Sequence, residues 1–103
     1  MRNAAAVLYY KGLALNQLGR KSEAAAVFSQ MIEIGGRALK TGGEVDYYAK
    51  FGQRGAQNSR LAQAHYVLGL GQEGMGKEAQ AKKEFQAALK LDPSHEGAGR
   101  KVE

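Results

Sequence analysis

Gly69-Leu-Gly71-Gln-Glu-Gly74 spells GxGxxG, the glycine spacing that lets a backbone wrap a dinucleotide pyrophosphate. That chemistry needs a strand before the motif and a helix opening from it, so that the phosphates meet the helix N-terminus. Here Arg60 to Leu68 reads as helix, and no following strand presents an acid to a ribose. The motif therefore predicts no nucleotide site. The side chains able to act as nucleophile or base are Ser22, Ser29, Ser59, Ser94, His65 and His95. None stands in a nucleophile–base–orienter pattern, so no catalytic residue is assigned. Two histidines without HxxxH spacing, no carboxylate cluster and no cysteine assign no metal site and no cofactor. His65 reads as a packed side chain. Asp92-Pro93 reads as a helix start, with Asp92 as N-cap and Pro93 at the first helical position.

The elements that would carry these residues follow from self-comparison. Tyr9, Gly12, Gly19, Ala24 and Phe28 recur as Tyr66, Gly69, Gly76, Ala81 and Phe85, each pair 57 residues apart without a gap. Within each copy the apolar residues keep helical spacing. Leu8, Gly12, Leu15 and Leu18 form one stripe; Ala24, Phe28, Met31 and Ile32 form the next. Leu61, Leu68 and Met75, then Ala81, Phe85, Ala88 and Leu89, repeat the pattern. Each copy thus reads as helix, tight turn, helix. Gly19 and Gly76 stand where a left-handed residue ends the first helix without a Cβ clash. Gly12 and Gly69 lie inside helices, where glycine costs about 1 kcal/mol relative to alanine; their recurrence predicts close approach of a partner helix.

Gly12, Gly19, Ala24 and Phe28, then Leu68-Gly69, Ala81, Phe85, Ala88 and Asp92-Pro93, resemble the tetratricopeptide repeat, a helix–turn–helix of 34 residues. The resemblance implies an all-α fold of antiparallel helix-turn-helix repeats within a single domain, 1–103. Unit one would run over 5–38, an inserted segment over 39–61, unit two over 62–95 and a short tail over 96–103. Lys11, Gln72 and Gly36 depart from the leucine, tyrosine and proline usual in the family. Within the insertion, Glu44 to Phe51 is a candidate short helix. Tyr47 and Tyr48 with Phe51 predict that part of it packs. With DYYAKF ahead of HYVLGLG, the layout also resembles the C-terminal repeat tail of some large bacterial proteins.

The family's groove, carried over by position, falls on Ala6, Tyr9, Leu13, Asn16 and Gln17, then on Gln63, Tyr66, Leu70, Glu73 and Gly74. The helical spacing of these residues places each set on one face, off the core stripe. Two Tyr-x-x-x-Leu pairs, with amides at Asn16 and Gln17, suit a peptide or protein partner. Gly74 is expected to leave a notch for a ligand backbone. Where relatives that capture carboxylate tails place a lysine and an asparagine, this chain has Tyr9 and Leu13, which predicts a hydrophobic or mixed segment instead.

The remaining partner classes are weighed by charge and length. Fifteen Lys+Arg against ten Asp+Glu give +5, with pI near 9.6. The basic residues are spread along the chain, and Lys82-Lys83-Glu84 has the look of a solvated face, which argues against nucleic acid. Arg37, Lys40, Lys50, Arg54 and Arg60 gather around the insertion and could steer an acidic partner. No apolar run approaches the roughly 20 residues of a membrane helix, and the start MRNAAAVLYYKG carries no secretory cleavage pattern, so a cytoplasmic setting is expected. Two units make a short stack where about three are usual. After Pro93 the chain offers too little apolar surface to predict a full capping helix. An exposed end would then be covered by a longer chain or by a homodimer.

Overall fold

The computed structural model describes residues 4–44 and 54–102, and in them the chain is five helices. They are α1 (Ala4–Gln17), α2 (Lys21–Glu44), α3 (Arg54–Gly74), α4 (Glu78–Leu91) and α5 (Glu96–Val102). There is no strand among the described residues. α1 with α2, and α3 with α4, are the two predicted hairpins. The turns between their helices are built by the same local rule. At the first, the Gly19 N–H bonds to the Asn16 carbonyl (3.0 Å) and the Arg20 N–H to the Leu15 carbonyl (2.9 Å). At the second, Gly76 bonds to Glu73 (3.0 Å) and Lys77 to Gln72 (2.9 Å). This pair of bonds is the Schellman termination, which needs a left-handed residue; Gly19 and Gly76 have φ of +81° and +86°.

The glycines inside the helices set how near the helices come. A Cβ on Gly12 would lie 2.5 Å from Phe28 Cζ, and one on Gly69 would lie 2.6 Å from Phe85 Cε1. Each unit therefore seats the aromatic ring of its second helix on a glycine of its first, as the repeat predicts. The contact between units is closer still. Gly35 of α2 faces the α3 backbone, its Cβ position 2.8 Å from Leu68 N and 2.9 Å from Ala64 O. Gly71 of α3 faces α2 in return, 2.8 Å from both Phe28 O and Ile32 Cγ1. α2 and α3 share the largest helix–helix interface in the molecule.

Several expectations are corrected. Residues 39–44 prolong α2, and residues 54–61 form the start of α3. At 24 and 21 residues these helices are about 36 and 31 Å long, against about 21 Å for the 14-residue α1 and α4. The remainder of the expected insertion, including the candidate helix after Glu44 and the aromatics Tyr47, Tyr48 and Phe51, lies outside the described residues. Leu18 and Met75 are not in the core stripe but exposed, because each follows its helix into the turn. The core is instead Ala24, Phe28, Met31, Ala62, Val67, Leu70, Ala81, Phe85, Ala88 and Ala98. Gln72, at the family's tyrosine position, keeps its Oε1 buried without a hydrogen-bond partner among the described residues.

The tail is a further correction. Residues 96–102 form a helix that buries Ala98 completely. Asp92 does not cap it. Its Oδ1 accepts the Ser94 hydroxyl (2.7 Å) and the Ser94 N–H (3.2 Å), a tight Asx turn. The Ser94 hydroxyl holds the Asp92 carboxyl below its usual range, with the Ser94 N–H acting the same way. The residue before α5 is His95, and its Nδ1 accepts the Ala98 N–H at 3.1 Å. An N–H can only donate, so in the neutral ring the proton sits on Nε2, which donates to Gln63 Oε1 at 2.8 Å.

Candidate interaction cleft

α1, α3 and α5 line one side of the molecule. Helical spacing on α1 aims Tyr9 into this side, and the matching position on α3 aims Tyr66 there. Each ring leans on the phenylalanine of its own unit: Tyr9 on Phe28 at 6.2 Å between centroids, Tyr66 on Phe85 at 5.9 Å. The repeat thus places two equivalent tyrosines through two equivalent glycine–phenylalanine seats. Between them opens a cleft of about 290 Å³. α1 contributes Ala6, Tyr9 and Tyr10 to it; α3 contributes Tyr66 and Leu70; α5 contributes Gly97, Arg100 and Lys101.

α5 is tied across this side by polar contacts. Lys101 Nζ lies 2.7 Å from Glu73 Oε1 and 3.3 Å from Tyr9 Oη, and the Tyr9 hydroxyl donates to the same Glu73 oxygen at 2.8 Å. The ammonium also stands 5.0 Å from the centre of the Tyr9 ring, within cation–π reach. Partial burial pushes the Tyr9 phenol above its ordinary value, and the Glu73 carboxylate adds to the effect. Burial alone would lower Lys101, but its bonds to Glu73 and Tyr9 outweigh this and hold it raised. Burial likewise raises Tyr66, against the pull of Lys101 and Arg100. Tyr66 packs against His95 at 4.8 Å between rings, and its ring tip occupies the space a Cβ on Gly97 would need.

The eight groove residues read from the sequence are distributed as follows. Tyr9, Tyr66 and Leu70 line the cleft together, Leu70 as its fully buried floor. Glu73 sits at its edge, committed to Lys101 and Tyr9, and Gln63 is bonded to His95. Leu13 packs partly into the core, and Asn16 and Gln17 are exposed on α1; none of the three lines the cleft. Gly74 is no notch for a ligand: the Phe28 ring fills the space beside it. With Gly69 on Phe85 and Gly71 on the α2 backbone, all three glycines of GxGxxG are packing glycines inside or at the end of α3.

Sequence reasoning missed Tyr10, Gly97, Arg100 and Lys101. The signal was present in the tail: Ala98 and Val102 are four residues apart, and Arg100 and Lys101 fall in a last turn that favours cations. His65 is half-buried, and its Nδ1 donates to Glu84 Oε1 at 2.7 Å. Of the basic residues near the inter-unit segment, Arg37 pairs with Glu33 at 3.2 Å, and Lys50 lies outside the described residues. Among the described residues no three His, Asp or Glu side chains could hold a metal ion, and no helix is long and apolar enough to cross a membrane.

Comparison with known proteins agrees with this architecture. Two family models, each described as the tetratricopeptide repeat, match residues 6–34 and 62–95. No curated protein and no solved structure matches the chain. The two matched stretches coincide with the α1–α2 and α3–α4 hairpins, each closed by its left-handed glycine, and the chain belongs to the tetratricopeptide repeat family.

Proposed function

We propose that this chain is a non-catalytic protein-interaction module that holds a peptide segment of its partner in the cleft between α1, α3 and α5. Tetratricopeptide repeats are in general protein-interaction modules. The observation that carries the reading here is the convergence of Tyr9, Tyr66 and Leu70 on a single cleft walled by α5. Tyrosine rings over an apolar floor provide large, rigid contact area with a polar tip, the composition found at binding hot spots. The partner segment is hydrophobic or mixed: its apolar side chains lie on Tyr66 and Leu70, and its backbone is within reach of the Asn16 and Gln17 amides further along α1. The two units, 5–38 and 62–95, act as one domain.

The test is a pull-down from the native cell, followed by titration of the purified partner. Tyr9→Ala combined with Tyr66→Ala is expected to abolish binding while helicity by circular dichroism is retained. Because both rings also pack on phenylalanines, Tyr10→Ala and Arg100→Ala supply a second arm at exposed rim positions, each expected to weaken binding severalfold. Undiminished affinity in folded variants of both arms places the site elsewhere. A second reading, a self-associating structural segment, is favoured by one separate observation on α1.

A further inference from the structure

The 57-residue offset allows every exposed position of one unit to be compared with its counterpart in the other. On α3, Ala64, Val67 and Gly71 form a buried face, with Ala64 and Val67 only 4% and 7% exposed. That face lies on α2, as the contacts of Gly71 with Ile32 and Phe28 and of Gly35 with Ala64 establish. The counterparts on α1 are Val7, Tyr10 and Ala14, continued by Leu18. All are exposed, Val7 by 64%, Tyr10 by 66% and Leu18 by 71%. Spacings of three, four and four residues put them in one straight stripe. The opposite side of α1 is already spent on Phe28 through Gly12. Lys11 is the one charged residue in Ala4–Gln17, so α1 is apolar on two sides, the signature of a helix with neighbours on both.

We propose that this stripe docks a second copy of the chain, α1 against α1 and antiparallel, about a two-fold axis passing near the level of Gly12. The stripe is its own complement in that arrangement. Tyr10 falls opposite Ala14 of the partner subunit, and Val7 opposite Leu18 of the partner subunit; the two-fold repeats both contacts. A large ring thus meets a small residue twice, as Ile32 meets Gly71 at the matching place between α2 and α3. Lys11 flanks the stripe and stays in water. A single pair of four-turn helices is a small contact beside the roughly 800 Å² per partner of a stable complex. The association is therefore weak, monomeric at about 10 µM and dimeric toward about 1 mM.

Sedimentation velocity over that concentration range should show the mass rising from 11.1 kDa toward twice that value. Tyr10→Arg and Leu18→Arg, both at exposed positions, should stay monomeric at the highest concentration with unchanged circular dichroism. The chain has no cysteine, which makes a register test clean. Tyr10→Cys mixed with Ala14→Cys should form disulfide-linked dimer several times faster than either variant alone. A wild-type chain still monomeric at 1 mM overturns the proposal and leaves the stripe to a helix of another protein. A dimer that survives both arginine substitutions, or a mixed cross-link no faster than the single ones, overturns it as well. None of these results depends on the cleft.

Discussion

Replacing Gly35 by alanine, and in a separate variant its neighbour Gly36, makes the same chemical change at adjacent positions of one helix. Any Gly→Ala change in a helix interior gains up to about 1 kcal/mol from backbone propensity. At Gly36 a new Cβ meets nothing within 4 Å, so this gain is kept, and Gly36→Ala should be stabilising by about 0.5–1 kcal/mol. At Gly35 the nearest atoms are Leu68 N at 2.8 Å, Ala64 O at 2.9 Å and Leu68 Cα at 3.0 Å. Ordinary contact between such atoms begins near about 3.5 Å. All three belong to the α3 backbone, so no side chain can rotate out of the way, and relief requires the two longest helices to separate by roughly half an ångström or more. Overpacking of this kind costs about 1–3 kcal/mol, which outweighs the propensity gain. Gly35→Ala should be destabilising by about 1–2 kcal/mol net, and the two variants should differ by about 2–3 kcal/mol. Urea unfolding followed by circular dichroism reads this directly. With a slope of about 1–3 kcal/mol per molar, the midpoints should lie about 1–2 M apart, Gly36→Ala above wild type and Gly35→Ala below. If both variants are stabilised alike, α2 and α3 do not approach as described, and the packing account of the glycines fails with them.

Two further outcomes can be checked. Gly19→Ala and Gly76→Ala each place a Cβ in the left-handed region with no atom within 4 Å, so each should cost about 1–2 kcal/mol from backbone strain alone, and asparagine should restore part of it. Thermal melts would show the loss as a drop of several degrees per variant. The Glu73–Lys101–Tyr9 cluster should make the docking of α5 sensitive to alkali. Tyr9 and Lys101 are both raised from ordinary values of 10.0 and 10.5, so the folded state favours their protonated forms; the stability they add is complete below those values and disappears as pH climbs through the raised ones. Glu73→Gln should cost about 1 kcal/mol at neutral pH, with a smaller difference from wild type above pH 11, measured by urea titrations at each pH. An undiminished difference at high pH contradicts the assignment.

The secondary structure and the family were legible in the chain itself, because short-range rules decide them. The spacing of Ala24, Phe28 and Met31 makes a helix face wherever it occurs, and Gly19 and Gly76 end helices through bonds spanning five residues. The glycines at 12 and 69 could be read as well, since their recurrence at equal depth has no local advantage and must serve a contact. The same reasoning placed Tyr9, Tyr66 and Leu70 on one face. It could not say that Gly74 is filled by Phe28, that Gly35 and Gly71 meet across the two units, or that His95 rather than Asp92 begins the last helix.

Those facts concern residues far apart in the chain, such as Tyr9, Glu73 and Lys101, whose meeting depends on the angle between hairpins. α5 shows the difference most clearly. Seven residues with two glycines carry too little helix propensity to announce themselves, since an isolated helix of that length does not outweigh its own nucleation cost. Only a prepared surface, where Ala98 is buried and Lys101 finds Glu73, makes it a helix. The sequence alone determined the hairpins and the faces they offer. Tertiary packing alone decided which of those faces became a cleft and which, on α1, was left open, because both depend on the energy of contacts that exist only once the units are stacked.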